Sequence, residues 1–162
     1  MLTDPESLIL DFANAASAAG LEGWPCEFRV EVLPAPHRPP PLPSGFGAVY
    51  LFALGSAYGE TVSAGAGTVL KVGLAGPKSG PRFRYHHYGE NAESTLAKSL
   101  VRYRIMWPWL GIEELDMTTA KAWMLTHLDR VHIYVPAGHE VVLASLEVYI
   151  RARVGSVFEG AA

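Results

Sequence analysis

The chain has 162 residues, which fits one domain with a substantial core. Apolar residues make up 49% and charged residues 18%, a composition typical of globular proteins and not of disordered ones. The net charge of −3 argues against a protein that coats nucleic acid nonspecifically.

The sequence also limits where the protein is expected to work. No apolar run reaches the ~20 residues that span a bilayer. The N-terminus, MLTDPESLIL, has acids where a secretory signal carries lysine or arginine. Cys26 is the single cysteine, so neither an intrachain disulfide nor a cysteine metal cluster is expected. We therefore expect a cytoplasmic protein that does not contact membranes.

The N-terminal part of the chain predicts a helix, a strand and a spacer. The helix is predicted to begin with a capping box formed by Thr3 and Glu6, and the run CEFRVEVL alternates as a half-buried strand does. PAPHRPPPLPSG is polyproline-like, which favours a rigid spacer over an SH3-type ligand. We expect an extension at 1–33, a spacer at 34–45 and the main domain at 46–160.

The main domain predicts strands followed by helices. FGAVYLFAL and TVLKVGLAG read as two strands of a hairpin with a long glycine-rich loop. ESTLAKSLVRYRI predicts a helix with Ser94 as its N-cap, TTAKAWMLTHL another helix, RVHIYV a short strand, and GHEVVLASLEVYIRARV a long helix. We expect an α+β fold, with a small three-stranded sheet flanked by helices and extended at its N-terminus by a helix and a strand.

Three common catalytic motifs are absent. GLAGPKS is not a P-loop, because Pro77 separates Gly76 from Lys78 and a loop is expected to follow instead of a helix. The six histidines show no HExxH or other tight ligand spacing, which argues against zinc. The sequence has no G-x-S-x-G elbow, the motif that would indicate a serine hydrolase.

Positive charge is concentrated in one part of the chain. Residues 71–104 contain seven cations and two acids, a local charge of +5 that leaves −8 for the rest. A basic segment on an acidic body favours an anionic ligand bound at one site. A basic helix face with no ligand explains the charge equally well.

Eight residues in and beyond this segment make up a candidate site: Tyr50, Lys71, Gly73, Arg82, His86, His87, Tyr88 and Glu147. Each has a structural explanation when taken alone. Strand tyrosines usually pack, a strand lysine marks a solvent face or an edge, and Glu147 has an i,i+4 partner in Arg151 worth about 0.3–0.5 kcal/mol. An acid in a nearly all-apolar helical run is nevertheless costly unless it holds a cation.

Taken in order, these residues resemble the GIY-YIG nuclease family. That family pairs two strands bearing the name-giving tripeptides, then supplies an arginine and a metal-binding glutamate on a later helix. AVY (48–50) stands where the first tripeptide belongs, and KVG (71–73) stands in the second, with Lys71 replacing its tyrosine. The run RFRYHHY…STLAKSLV and the C-terminal LE…FEG look like a bacterial branch of the family. The resemblance covers about Phe46 to Gly160.

The resemblance implies an endonuclease that hydrolyses phosphodiester bonds in DNA, in restriction or phage defence. Tyr50 would be the general base, with Lys71 favouring its phenolate. Glu147 would bind one divalent ion, Mg²⁺ (or Mn²⁺). Arg82 would hold the scissile phosphate, with Arg84 as the alternative.

The remaining candidates would bind substrate or support the reaction. His86 or His87 would assist proton transfer or contact a phosphate, and Tyr88 would support them. Gly73 and the loop that carries Lys78 would let a polyanion approach the backbone.

Two features depart from the family pattern. Lys71 replaces a tyrosine, and Glu159 stands where the family often has an asparagine that contacts phosphate. Glu159 would repel a phosphate, bind metal or form a salt bridge. The chain carries no separate DNA-reading module, so a homodimer, the segment Ala92–Met117 or a partner subunit would have to select the target. RNA stays open as a substrate.

Two other functions remain open. The first is a nuclease-like fold without catalysis, acting as a nucleic-acid-binding or assembly subunit, and the second is a plain structural domain. For an active enzyme we expect Tyr50, Lys71, Arg82 and Glu147 to converge on one cleft. For a binder the cations should line up and Glu147 should pair with an arginine. For a structural domain Tyr50 and Glu147 should lie far apart or on opposite faces.

Overall fold

The computed structural model describes residues 4–21, 27–58, 65–88 and 94–158, which contain both helices and strands. The α-helices there are α1 (Pro5–Ala18), α2 (Gly80–Tyr85), α3 (Thr95–Tyr103), α4 (Ala120–His127) and α5 (Glu140–Val154). The strands are β1 (Arg29–Leu33), β2 (Phe46–Leu54), β3 (Val69–Ala75) and β4 (Leu128–Pro136). Short 3₁₀ turns lie at Ser56–Tyr58, Arg104–Met106 and Pro108–Leu110. The fold is α+β, as expected. None of the described helices has the length and apolar character needed to cross a bilayer.

The sheet has four antiparallel strands, in the order β1-β4-β2-β3, instead of the expected three. The additional strand is β1, which pairs with β4 from Arg29↔Tyr134 to Leu33↔Arg130. The strand of the expected N-terminal extension is therefore part of the sheet, because the outer edge of β4 offers it unpaired backbone groups. The division of the chain at 33 and 45 stays a prediction.

The two faces of the sheet bury different side chains, because successive residues of a strand point in opposite directions. The aliphatic face includes Val49, Leu51 and Ile133, and it packs against α1 and α5. Gly47 allows α5 to come close, since a Cβ there would lie 2.7 Å from Leu143 Cδ2. The opposite face carries Tyr50, Phe52, Arg130, His132 and Tyr134, and we call it the aromatic face. It packs against Phe83 of α2, Leu96 and Leu100 of α3 and Met124 of α4.

Helix α2 corrects the expectation of a loop after Lys78. It is six residues long, with Pro81 in its first turn, where a fixed φ suits a helix start. Phe83 is buried at 1% exposure and anchors it to the sheet. The rejection of a P-loop is unaffected, because Pro77 still interrupts the motif.

The observed helix N-caps agree in part with those predicted from the sequence. Ser94 caps α3 as predicted, with its Oγ accepting a hydrogen bond from the N–H of Ala97 at 3.1 Å. Helix α1 begins at Pro5 with Asp4 as its N-cap, and Asp4 accepts from the N–H of Glu6 at 3.0 Å. Thr3 lies outside the described residues.

The proline-rich spacer lies against the body of the chain. The N–H of Ala35 donates to Asp129 Oδ1 at 2.8 Å, and the N–H of His37 donates to the carbonyl of Leu125 at 2.9 Å. His37 Nε2 also lies 2.8 Å from the hydroxyl of Tyr88. These contacts bring the spacer to the border of the aromatic face.

Candidate active site

The candidate site is built around the phenol of Tyr50, in the middle of β2. Tyr50 is 7% exposed and pairs across the sheet with Gly73 on β3 and His132 on β4. A Cβ at Gly73 would lie 2.5 Å from the phenol oxygen and from Cζ of Tyr50. Gly73 therefore leaves the space in which the ring of Tyr50 lies.

A buried hydrogen-bonded chain fixes the hydroxyl of Tyr50. His87 Nε2 lies 3.1 Å from Tyr50 Oη, and His87 Nδ1 lies 2.8 Å from Ser94 Oγ. Ser94 Oγ already accepts from the N–H of Ala97, so its own hydrogen is free to be donated to Nδ1. The tautomer with hydrogen on Nε2, which donates to the oxygen of Tyr50, is compatible with this chain of contacts.

Burial controls the protonation of this chain. Burial holds the pKa of His87 well below its ordinary value, and the nearby charges of His86 and Arg130 lower it further. His87 is therefore a neutral imidazole near pH 7. Burial also raises the pKa of Tyr50, while Arg130 and Arg82 lower it. The expected effect of Lys71 on this phenol is thus supplied by two arginines.

Several predicted cations lie around the same group. Arg82, on α2, is exposed, and its charge lowers the pKa of Tyr50, His86 and His87. Lys71 lies directly across from Phe52, so it shares the aromatic face, and it is 8% exposed. Burial lowers the pKa of His86, and Arg82 and Lys71 lower it further. The structure therefore brings Tyr50, Lys71, Arg82, His86 and His87 together.

Glu147 shows the arrangements expected for a structural domain and for a nucleic-acid binder. Helix α5, which carries it, packs on the aliphatic face, opposite the side that holds Tyr50. Glu147 Oε1 accepts from Arg151 Nη2 at 2.7 Å, and its side chain is 15% exposed. Its charge raises the pKa of Tyr50, which opposes formation of the phenolate.

The remaining predicted residues lie near the border of the site. The hydroxyl of Tyr88 is hydrogen-bonded to His37, and burial raises the pKa of the Tyr88 phenol to about 12. Lys78 and Arg84 are exposed, and the guanidinium of Arg84 lies 5.1 Å from the centre of its neighbour, the Tyr85 ring. The charge of Arg82 lowers the pKa of Tyr50, which favours Arg82 over Arg84 as the residue that would hold the scissile phosphate. Glu159 lies outside the described residues.

Arg130 is a member of the site that the sequence analysis missed. It is 0% exposed, and its guanidinium carbon lies 4.4 Å from the Phe83 ring centre and 5.3 Å from those of Tyr50 and Phe52. Nη2 donates to the carbonyl of Phe83 at 2.8 Å, while Nε and Nη1 have no hydrogen-bond partner among the described residues. Arg130 is the strongest influence lowering the pKa of Tyr50.

His132 and Tyr134 extend the polar row along β4. Both contact Glu31 of β1: the hydroxyl of Tyr134 donates to Oε2, and His132 Nδ1 lies 3.2 Å from the same oxygen. Burial holds the pKa of His132 well below its ordinary value. Arg130, His132 and Tyr134 occupy alternate positions of RVHIYV, and this spacing was the signal that they share a face.

Glu147 would have to bind a metal ion without help from a preformed cluster. Within the described ranges, no group of three or more His, Cys, Asp or Glu side chains could hold a metal. A single carboxylate still suits Mg²⁺, which commonly takes one or two carboxylates and completes its shell with water and substrate phosphates. Oε1 of Glu147 is engaged by Arg151, and binding would compete with that ion pair.

Comparison with known proteins gives no family for this chain. No family model, no curated protein and no solved structure matches it.

Proposed function

We propose that the chain is a metal-dependent endonuclease that hydrolyses phosphodiester bonds in DNA, with Tyr50 at the reacting centre. The observation that supports this most is the buried phenol of Tyr50, which is hydrogen-bonded to His87 and has the guanidinium carbon of Arg130 5.3 Å from its ring centre. The order of the elements also agrees with the GIY-YIG pattern, since two paired strands precede the arginine helix and the glutamate helix comes last.

The proposed reaction is an attack of water on phosphorus. Arg82 is exposed and holds the phosphate through paired N–H donors. The phenolate of Tyr50 takes the proton of the water, and the bond from phosphorus to the leaving oxygen breaks. The hydrogen on His87 Nε2 holds the oxygen of Tyr50 in place during the transfer.

Deprotonation of Tyr50 limits this reaction. Burial raises the pKa of the phenol, so it is protonated near pH 7 in the free protein. Arg130, close to the ring, and Arg82 are the cations of the chain that favour the phenolate. We therefore expect the activity to increase with pH above neutrality.

Glu147 is proposed as the protein ligand of Mg²⁺ (or Mn²⁺). When bound, the ion supplies positive charge that stabilises the phosphate and the leaving oxygen. Half-buried and flanked by Arg151, the carboxylate has one oxygen without a described hydrogen bond. A dimer or a partner subunit is proposed to select the target.

The test compares two glutamates of α5. Purified protein with Mg²⁺ is incubated with plasmid and with methylated plasmid, and nicking is followed on gels. Glu147→Gln is expected to reduce the cleavage rate about 10²-fold or more, with a melting temperature close to that of the parent. Glu140→Gln, at the exposed first turn of the same helix, is the matched control and should cut normally. Cleavage by Glu147→Gln at the parent rate would refute the metal assignment.

A second function, nucleic-acid binding without catalysis, is favoured by one observation. Arg151 already holds Glu147 at 2.7 Å, as expected for a closed metal site. A binder should retain labelled DNA equally well in EDTA and in Mg²⁺, and it should cut in neither. Arg82→Gln should weaken that binding, since an exposed arginine contacts phosphate in either function.

A further inference from the structure

A pocket of about 390 Å³ lies beside helix α3. Its walls come from the C-terminal half of α3, the following 3₁₀ turn and residues 157–158. Ligand pockets measure about 300–1,000 Å³. This pocket is therefore large enough for one small flat molecule and too small for a duplex groove.

The walls combine aromatic rings with positive charge. Tyr103 and Phe158 have nearly parallel rings, at an interplanar angle of 12°, and Trp107 meets Phe158 edge to face at 85°. Lys98 and Arg102 are exposed and lie one helical turn apart, so both project on the same side of α3. The guanidinium carbon of Arg102 lies 5.5 Å from the centre of the Tyr103 ring. Flat apolar surface beside two cations suits a ligand with an aromatic ring and a negative charge.

The pocket is connected to the candidate active site by two elements. The N–H groups of Val157 and Phe158 donate to the carbonyls of Val69 and Leu70 at 3.0 and 2.9 Å, so this wall lies on the edge of β3 directly before Lys71. At its other end, α3 begins beside Ser94, which holds His87. The eight steps from Ser94 to Arg102 span about 12 Å of helix. A strand of nucleic acid can reach both places.

We propose that this pocket binds an unpaired nucleobase with its phosphate, so that the substrate class is DNA with a single-stranded or extruded nucleotide. The base stacks on the exposed ring of Tyr103, beside Trp107 and Phe158, and the phosphate contacts Lys98 and Arg102. The statement about substrate class rests on the proposed nuclease function, whereas nucleotide binding by the pocket does not. Six of the eight residues that line the pocket lie in the segment Ala92–Met117, from which target selection is expected.

The first experiment measures binding by calorimetry in EDTA, with three probes: adenosine 5′-monophosphate, adenosine and inorganic phosphate. The monophosphate is expected to bind about tenfold more tightly than either fragment, because it engages both the rings and the cations. Phosphate binding as tight as the monophosphate would reduce the site to an anion patch and overturn the proposal. So would the absence of binding at millimolar ligand.

Variants assign the binding to this pocket. Tyr103→Ala and Arg102→Gln should each weaken monophosphate binding about tenfold, and Tyr103→Phe, which keeps the ring, should bind like the parent. Arg153→Gln, an exposed arginine of α5 that pairs with Asp11, is the matched control and should leave binding unchanged. Melting temperatures show that each variant is folded. Equal binding by the parent, Tyr103→Ala and Arg102→Gln would overturn the assignment.

A last comparison separates this inference from the proposed function. In EDTA, the parent should prefer a single-stranded oligonucleotide to its duplex, and Tyr103→Ala should lose that preference. If Glu147→Gln abolishes cleavage while Tyr103→Ala keeps the preference, the pocket inference fails alone. If Glu147→Gln cleaves normally while Tyr103→Ala loses the preference, the nuclease assignment fails alone. A glutamate-rich peptide that binds the parent as tightly as the oligonucleotide would indicate a protein partner and overturn the nucleobase assignment.

Discussion

The phenol of Tyr50 is held between two neighbouring strands. Gly73 on β3 leaves room for the ring, and Arg130 on β4 lies 5.3 Å from the ring centre. Burying a guanidinium without a close carboxylate is costly. Aromatic faces and the carbonyl of Phe83 offset part of that cost. Arg130 in turn offsets part of the rise in the pKa of Tyr50 that burial causes.

Replacement of Gly73 by alanine tests how tightly the Tyr50 ring is packed. A Cβ at 2.5 Å from the phenol oxygen forces the ring to move, which is expected to destabilise the protein by about 1–3 kcal/mol. Unfolding in urea measures the loss. Gly76→Ala is the matched control, since its Cβ would meet only Ser79 Oγ, at 3.8 Å. Equal stability of the two variants would show that the ring has space to spare.

At the scale of elements, the sequence predicted those with a clear pattern. Strands β2, β3 and β4 and helices α3, α4 and α5 follow runs long enough to show a period or a cap, such as Ser94 before α3. Helix α2 was missed because six residues show little periodicity and Gly80-Pro81 resembles a turn. Strand order was also beyond the sequence, since pairing of β1 with β4 joins residues a hundred positions apart.

The site was predictable to the same extent as its elements. Tyr50, Lys71, Arg82 and the histidines lie on consecutive elements, β2 to α2, and come together through one hairpin. Arg130 contacts them only through the pairing of β4 with β2, which no local pattern reveals. The ion pair of Glu147 with Arg151 was foreseeable from the i,i+4 spacing alone.

Replacement of Phe12 tests whether α1 is an appendage or part of the core. Phe12 is 4% exposed, and its ring lies 5.4 Å from that of Tyr149 on α5. Phe12→Ala is therefore expected to destabilise the whole chain by about 3–5 kcal/mol in a single unfolding transition. Leu10→Ala, at a position 62% exposed on the same helix, should change stability little. If Phe12→Ala leaves the main transition unchanged, α1 is an independent extension.

Across the whole molecule, the sheet separates two kinds of interior. The aliphatic face is closed by α1 and α5 with side chains such as Val131, Leu146 and Ile150. The aromatic face buries ionisable groups, among them His87 at 2% and His132 at 0% exposure. Burial of a neutral histidine makes stability depend on pH, because the unfolded chain accepts a proton that the folded chain refuses. The aromatic face should therefore determine the acid stability of the protein.

The protein should lose stability as pH falls below about 6.5, the ordinary pKa of histidine. Burial lowers the pKa of both His87 and His132, so the unfolded state binds more protons below that point and is favoured by acid. His87 faces Arg82, Lys71, His86 and Arg130, whereas Glu31 opposes the shift of His132 without cancelling it. Glu31 has a lowered pKa as well, so its contribution is also lost as pH falls. We expect the free energy of unfolding to decrease by up to about 1.4 kcal/mol per pH unit for each of the two histidines.

Urea unfolding between about pH 7.5 and about pH 5.5 measures this dependence. His87→Gln should flatten the slope by the share of one histidine, even though the variant is less stable at pH 7.5 because the bond to Tyr50 is changed. His139→Gln, at the start of α5 and away from the aromatic face, should leave the slope as it is. A parent whose stability is the same at both ends of that range would contradict the neutral, buried state of His87 and His132.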